Sequence, residues 1–497
     1  MISSRSSSGA SVYSLAFGLL ASGVTWAGDT PEYSVWVDSA LHELRVEARF
    51  ATPVKTLTAK SRDARRYISN IRDCATDELI RTRGRRMLLP RDGVHCITYR
   101  VDLLRAAAAD RRNATLSPVN VVASPSVWMW RPAIDRDSHI RVQFILEGDA
   151  LVSVPWQPVP GVDNAYRLMA SPENAQGVAV FGHFAYEEPD IPGARLRIAL
   201  LRPRRAIDNS ALAAIAAWVR DTASNVTLIY GRFPNSLPQI VVLPVGRHSW
   251  GDSPVPFGRV IRDGGESVEL FVNERRPIDE YYDDWTATHE FSHLMLPYVR
   301  ASHRWISEGF AQYYQNVLLA RSGAYPEIRA WQKLYEGFER GRKSRPGLSP
   351  NQAAARGTRA ATMKVYWSGA AIALMADVEL RLRSNGNESL DDVLSRLQEC
   401  CLPSARTWSG PELFARLDTL IDEPLFMPLY RRHANKAGFP DVRKLIERLG
   451  LQINDDIVEL QHDAELVHIR HAITGRVARV GDKRAQARQR QEPGSGL

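Results

Sequence analysis

Thr288-His289-Glu290-Phe291-Ser292-His293, followed by Glu308 within Trp305-Ile306-Ser307-Glu308-Gly309-Phe310-Ala311, decides how the rest of this chain is read. Residues four apart share a helix face, so His289 and His293 present two imidazoles side by side. That pair suits a divalent ion, and zinc favours nitrogen ligands in a tetrahedral site. Glu290 follows the first histidine, as in the H-E-x-x-H pattern, where the glutamate acts as general base on a water. Two histidines leave the ion short of a third protein ligand. Glu308, on a second helical run beginning near Trp305, is the candidate.

His303 competes for that role, ten residues beyond His293. A metzincin arrangement needs glycine and a third histidine closer to the motif, and Leu296 and Val299 occupy those places. His303 is therefore read as a loop histidine, and Glu308 as the ligand.

The 497 residues exceed one compact core, so two or three domains are expected. Apolar content of 44% and charged content of 24% are those of a globular protein. The net charge of +8 is scattered over the chain, with no aromatic-interleaved basic patch, which argues against nucleic acid as a partner. Arg5, the apolar run from Val12 to Val24 and Thr25-Trp26-Ala27 read as an export signal over 1–27, with an uncleaved N-terminal anchor as the alternative. No later stretch is long and apolar enough to span a bilayer, so a periplasmic or secreted protein without a membrane span is expected. Of the four cysteines, Cys74 and Cys96 can be bridged in an oxidising compartment or stand as free thiols. A bond between the adjacent Cys400 and Cys401 would be strained, so free thiols are expected there.

Working outward, the chain before residue 203 alternates apolar and polar residues. Leu44, Val46, Ala48 and Phe50 show it, as do Ile97, Tyr99 and Val101, then Ile140, Val142, Phe144 and Leu146, and finally Leu196, Ile198 and Leu200. Such alternation predicts half-buried strands of an antiparallel β-sandwich-like domain over 28–203. From 204 to 330 the pattern predicts an α+β catalytic unit. A helix begins near Asn209-Ser210 with a face of Leu212, Ile215, Ala216 and Val219, and two strand-like runs follow. The metal helix comes next, with Asp283 and Asp284 at its N-terminus. Helices follow over 331–472, including a buried run from Ala370 to Leu382. Residues 473–497 read as a disordered basic tail.

These residues together resemble a known family. His289-Glu290-x-x-His293 with Ser307-Glu308-Gly309-Phe310-Ala311-Gln312-Tyr313-Tyr314 looks like the gluzincin metallopeptidases, and within them is most similar to the M61, or glycyl aminopeptidase, group. The similarity continues at Val365-Tyr366-Trp367-Ser368-Gly369-Ala370 and at Ser389-Leu390-Asp391-Asp392-Val393-Leu394, and Trp128-Met129-Trp130-Arg131-Pro132 looks like that family's β domain. The resemblance implies a thermolysin-like catalytic domain and one zinc ion on His289, His293 and Glu308. It makes Glu290 the general base and Tyr366 the donor that stabilises the oxyanion. The implied substrate is a peptide and the implied activity that of an exported aminopeptidase. The alternatives are a catalytically retired binding or scaffold protein on the same fold, and a zinc hydrolase of a non-peptide bond.

The chain departs from the pattern in three places. Only 14 residues separate His293 from Glu308, so the connecting loop is short. Ser368 stands where a lysine is common. No Gly-x-Met-Glu-Asn run precedes the metal helix, so no glutamate is assigned to a substrate's free amine. The chain is also expected to lack the PDZ domain that many members of the group carry.

Overall fold

In Glu43–Val54, Leu44, Val46, Ala48 and Phe50 are all buried while their neighbours face outward, the period-two pattern the sequence predicts. The computed structural model describes residues 30–477 apart from 118, 136, 172–176, 204–207 and 247–251. The expected export signal lies outside the described residues, as does the tail beyond 477.

His139–Leu146, Glu32–Val37, Glu43–Val54 and Val94–Asp102 are the central strands, in that order, of a seven-stranded sheet. This sheet is mixed rather than antiparallel throughout, because Glu32–Val37 pairs in parallel with His139–Leu146. Alternation is the same for both strand directions, so it cannot reveal this, and the long stretch between the two strands provides the crossover. A four-stranded sheet containing Asn120–Ala123 and Ala179–Gly182 shares its hydrophobic core. Aromatic rings fill the space between the layers, with Phe144 lying 5.5 Å from Phe181 and 6.0 Å from Trp156.

A second, five-stranded sheet runs in the order Ala185–Glu187, Arg197–Leu200, Gln239–Pro244, Glu266–Val272 and Phe257–Arg262. Its first two strands fall within the expected β domain over 28–203 but open this five-stranded sheet instead. Periodicity identifies a strand without saying which sheet it joins. Gln239–Pro244 is parallel to both of its neighbours, and Arg197–Leu200 beside it is buried at all four positions, as in a sheet covered on both faces. Phe257–Arg262 is the edge strand, antiparallel to Glu266–Val272. The helix Asn209–Val226 buries Leu212, Ile215, Ala216 and Val219 as expected, with its cap one residue earlier at Asp208.

The turn after the edge strand joins the two sheet systems. Asp263 Oδ1 accepts from Lys60 Nζ at 2.9 Å, Arg131 Nη2 at 2.9 Å and Ser171 Oγ at 2.7 Å. Its carbonyl oxygen accepts from the indole of Trp156 at 2.8 Å. All four donors come from the β domain.

Helices build the remainder. Trp305–Arg321 is buried on nearly every side and packs against Thr286–Ser292, Glu327–Lys343 and Thr362–Arg383. Its C-terminal half is held by polar contacts. Tyr313 donates to Asp377 at 2.7 Å, and Tyr314 and Arg321 donate to Asp391 at 2.8 and 2.7 Å. A helix at Val467–Thr474 buries Ile473 and Thr474 at the start of the expected tail, because Thr474 accepts from the indole of Trp331 at 2.9 Å. Both cysteine pairs, Cys74–Cys96 and Cys400–Cys401, are disulfides rather than free thiols. No described helix is long and apolar enough to cross a membrane.

Candidate metal centre and cleft

The metal helix Thr286–Ser292 starts where Asp284 Oδ1 accepts from the Thr286 amide at 2.7 Å. The companion Asp283 faces elsewhere and takes both guanidinium nitrogens of Arg329. The α-helix ends at Ser292, and His293 opens a short 3-10 turn, His293–Met295. The change of winding leaves the two imidazoles adjacent, with ring centres 4.8 Å apart.

Glu308, in the first turn of Trp305–Arg321, points its carboxylate between them. Its Oε2 lies 3.4 Å from Nε2 of His289 and 3.4 Å from Nε2 of His293. The three ligand atoms lie within 4.8 Å of one another, a set that can hold one metal ion. The other ring nitrogens are occupied. His289 Nδ1 lies 3.2 Å from the amide oxygen of Gln315, and His293 Nδ1 lies 3.0 Å from Ser307 Oγ. An amide oxygen only accepts, so His289 donates from Nδ1 and keeps a lone pair on Nε2. Two oriented imidazoles and a carboxylate, each imidazole with an outer partner, fit zinc.

Charge at the centre follows from burial and these contacts. Burial works against charge on Glu308, but the His289 and His293 imidazoles beside it outweigh that and hold the carboxyl well below the usual range. Burial likewise works against the charged form of His293, and Glu308 overcomes it, so this imidazole is raised. Glu290 is raised by burial, partly offset by His293 and His289. The edge strand closes over Glu290 at Gly258, where a Cβ would stand 2.5 Å from Glu290 Cγ.

Tyr366, on Thr362–Arg383, stacks on the His289 ring at 5.8 Å with 19° between planes. Burial, followed by the charges of Glu308 and Glu290 nearby, pushes its hydroxyl far above the usual phenol range. The Arg304 guanidinium opposes that rise. All five residues singled out from the sequence are thus gathered in one place. His303 is apart from them, hydrogen-bonded to Ser302 at 3.2 Å and with its ring 6.3 Å from that of Tyr430. Ser368 is fully buried, roughly 200° around its helix from Tyr366.

Ser307, Gln315, Gly258 and Arg304 were not singled out from the sequence. Gln315 had a signal, since it stands seven residues after Glu308 and so on the same helix face. The others depend on contacts between distant segments. Beside Tyr366, Gln315 and Trp285 a cavity of about 930 Å³ opens.

No protein-family profile matches the chain, and no curated protein matches it by sequence. Solved structures do. The chain is similar to an aminopeptidase N family protein from Idiomarina loihiensis, with TM-score 0.63 and 14% identity over 88% of this chain and 82% of that one. It is similar to a mutant M1 zinc metallopeptidase from Deinococcus radiodurans bound to a Tyr-Ser-Ala substrate, with TM-score 0.51 and 13% identity over 83% of this chain and 95% of that one. Yeast LTA4 hydrolase is a third, with TM-score 0.50 and 13% identity over 84% of this chain and 70% of that one. The architecture is thus the multidomain α+β fold of these structures, with a sheet-rich N-terminal part and a helical C-terminal part. None of the three is described as a glycyl aminopeptidase.

Proposed function

We propose that this protein is a zinc-dependent metallopeptidase, with His289, His293 and Glu308 holding the ion. The single observation that carries the reading is the convergence of both Nε2 atoms on one Glu308 oxygen while both Nδ1 atoms are engaged elsewhere. Zinc bound there supplies Lewis acidity that makes water a competent nucleophile near neutral pH. Glu290 is the general base. Its burial raises the carboxyl, which suits it to take a proton from water and return one to the leaving amine. Tyr366 keeps its proton at all ordinary pH and donates a hydrogen bond to the oxyanion as the carbonyl is attacked. Arg304 adds positive charge beside it.

Aminopeptidase action is supported by what the similar structures are described as being. Within the chain, the edge strand Phe257–Arg262 carries no carboxylate to hold a free amine, and its two arginines are paired with Glu269 and Glu266. Membership of the glycyl aminopeptidase group and export through residues 1–27 are part of the proposal and rest on the sequence pattern.

The test is metal content of the purified protein, paired with hydrolysis of free-amine and N-blocked fluorogenic peptides. About one zinc per chain is expected, with cleavage confined to free-amine substrates and turnover of Glu290→Gln lowered by about 10²–10⁴ while zinc stays bound. Cleavage of blocked peptides would make it an endopeptidase. A folded protein that binds no zinc would end the reading.

A further inference from the structure

The cavity beside the candidate metal centre is bounded on that side by Tyr366 and Gln315, and its lining also carries Lys333, Arg340 and Arg359. Residues 329, 333, 336 and 340 recur at steps of four, three and four, so they share one face of Glu327–Lys343. From Arg329 to Arg340 that face runs roughly 16 Å.

Charges along this lining are unequally matched. The acids are engaged: Asp283 takes both nitrogens of Arg329 at 2.7 and 2.8 Å, Asp284 accepts from Ser253 Oγ at 2.6 Å, and Glu280 accepts from Arg276 at 2.5 Å. The remaining cations have no close carboxylate, although the Arg340 guanidinium lies over the Trp367 ring at 5.2 Å. Lys333 and Arg340 share the one carboxylate of Glu336, at 3.9 and 3.6 Å, both beyond hydrogen-bond distance. The Arg359 side chain is exposed and has no hydrogen bond or ion pair among the described residues. These three exposed cations, with a single distant acid between them, put positive charge along one wall of a concave space, where a guanidinium can hold a carboxylate through paired hydrogen bonds.

We propose that Lys333, Arg340 and Arg359 form a carboxylate subsite that receives the C-terminal carboxylate of a short peptide, or an acidic side chain, on substrate running past Tyr366 from the scissile bond. This rests on the peptidase reading above. Arg359 precedes Tyr366 by one 3-10 turn and about one α-helical turn, roughly 12 Å along the axis. Three or four extended residues cover that distance. The subsite therefore favours peptides of about four or five residues with a free terminus over longer ones whose terminus lies outside the cleft.

The probes are tetra-alanine with a free C-terminus, its C-terminal amide, and amidated Ala-Ala-Ala-Glu. Each is measured twice, as kcat/KM with the zinc-loaded protein and as equilibrium binding to the zinc-loaded Glu290→Gln protein. The free acid is expected to be favoured over the amide by about tenfold, the scale of one charge-assisted hydrogen bond in a partly exposed site. Arg359→Gln combined with Lys333→Gln should bring that ratio towards one, whereas Arg356→Gln, exposed and outside the cavity, should leave it unchanged. A preference regained by amidated Ala-Ala-Ala-Glu assigns the subsite to any carboxylate. Without that regain, it reads the main-chain terminus. Equal treatment of acid and amide, or a preference untouched in the double variant, overturns the proposal. A binding preference without turnover would sink the peptidase reading and keep the subsite; turnover without preference would do the reverse.

Discussion

Gly309, the residue after Glu308, lies directly against Gly369, three residues after Tyr366. A Cβ on Gly309 would overlap the backbone of Gly369, and one on Gly369 would overlap the carbonyl oxygen of Trp305. The helix carrying the third candidate ligand and the helix carrying the tyrosine therefore touch backbone to backbone. Their separation sets the distance between Glu308 and Tyr366. Neither glycine is needed for an unusual φ; both are needed for room.

Gly309→Ala and Gly369→Ala should each force the helices apart, costing about 1–3 kcal/mol as an overpacked core does. Zinc affinity should fall with them, because Glu308 moves relative to the metal helix. Thermal unfolding with and without zinc, together with competition against a chromophoric chelator, reads both effects. Unchanged zinc affinity in a stable variant would show that this crossing does not position the carboxylate.

A third glycine bears on the proposed base. At Gly258 an added methyl would press on the Glu290 side chain, which is buried and has little freedom to yield. Gly258→Ala should keep zinc and lose turnover, by at least about 100-fold if proton transfer is misplaced. Native turnover in that variant would mean that Glu290 tolerates the displacement or is not the base.

The outer partners of the histidines offer a graded test. Ser307→Ala and Gln315→Ala each remove the group that orients one imidazole, and each should weaken zinc binding by about 10–100-fold. The fold should persist, since neither side chain supports a helix end. Calorimetric titration of metal-free protein with zinc measures the change, and an affinity equal to the native one would remove these residues from the site.

Asp263 should mark the acid limit of stability. Burial raises its carboxyl, but Arg131 and Lys60 outweigh that and hold it below the ordinary value. A carboxylate depressed in this way contributes stability that is fully present above about pH 4, its unfolded pKa, and is lost as pH falls through the lower folded value. Asp263→Asn should cost about 3 kcal/mol near neutral pH, because it strands two cations that are largely buried. The gap between native and variant should close below about pH 4. Urea unfolding of both proteins from pH 7 down to 3 checks this, and a gap independent of pH would refute it.

The local code of helices carried far. His289, Glu290, His293 and Glu308 were legible because ligand spacing and helix periodicity are properties of short segments, and Tyr366 because of a family resemblance in the residues around it. The strands were legible one at a time, but the parallel pairing of Glu32–Val37 and the assignment of Arg197–Leu200 to the five-stranded sheet were not. Alternation reports burial of one face and carries no record of neighbour or direction. The same holds at the site. Ser307 touches His293 only through the turn that joins their helices, Gly258 meets Glu290 across a strand edge, and the Lys333, Arg340 and Arg359 cations share a cavity although the first and last stand 26 positions apart in sequence. Each is a fact of tertiary structure.

Arg262 and Asp263 are neighbours with opposite loyalties. Arg262 donates to the carbonyls of His293 and Leu296 at 2.9 and 3.2 Å, gripping the end of the metal helix. Asp263 is itself gripped by the β domain. One peptide bond thus transmits the seating of the N-terminal domain to the floor of the cleft. The half that carries the candidate metal centre is for that reason no detachable module. Cutting the chain between the two sheet systems would bare an acidic side chain shaped for absent partners and loosen the strand against which Glu290 rests. The smallest unit that keeps these contacts is the pair of domains together.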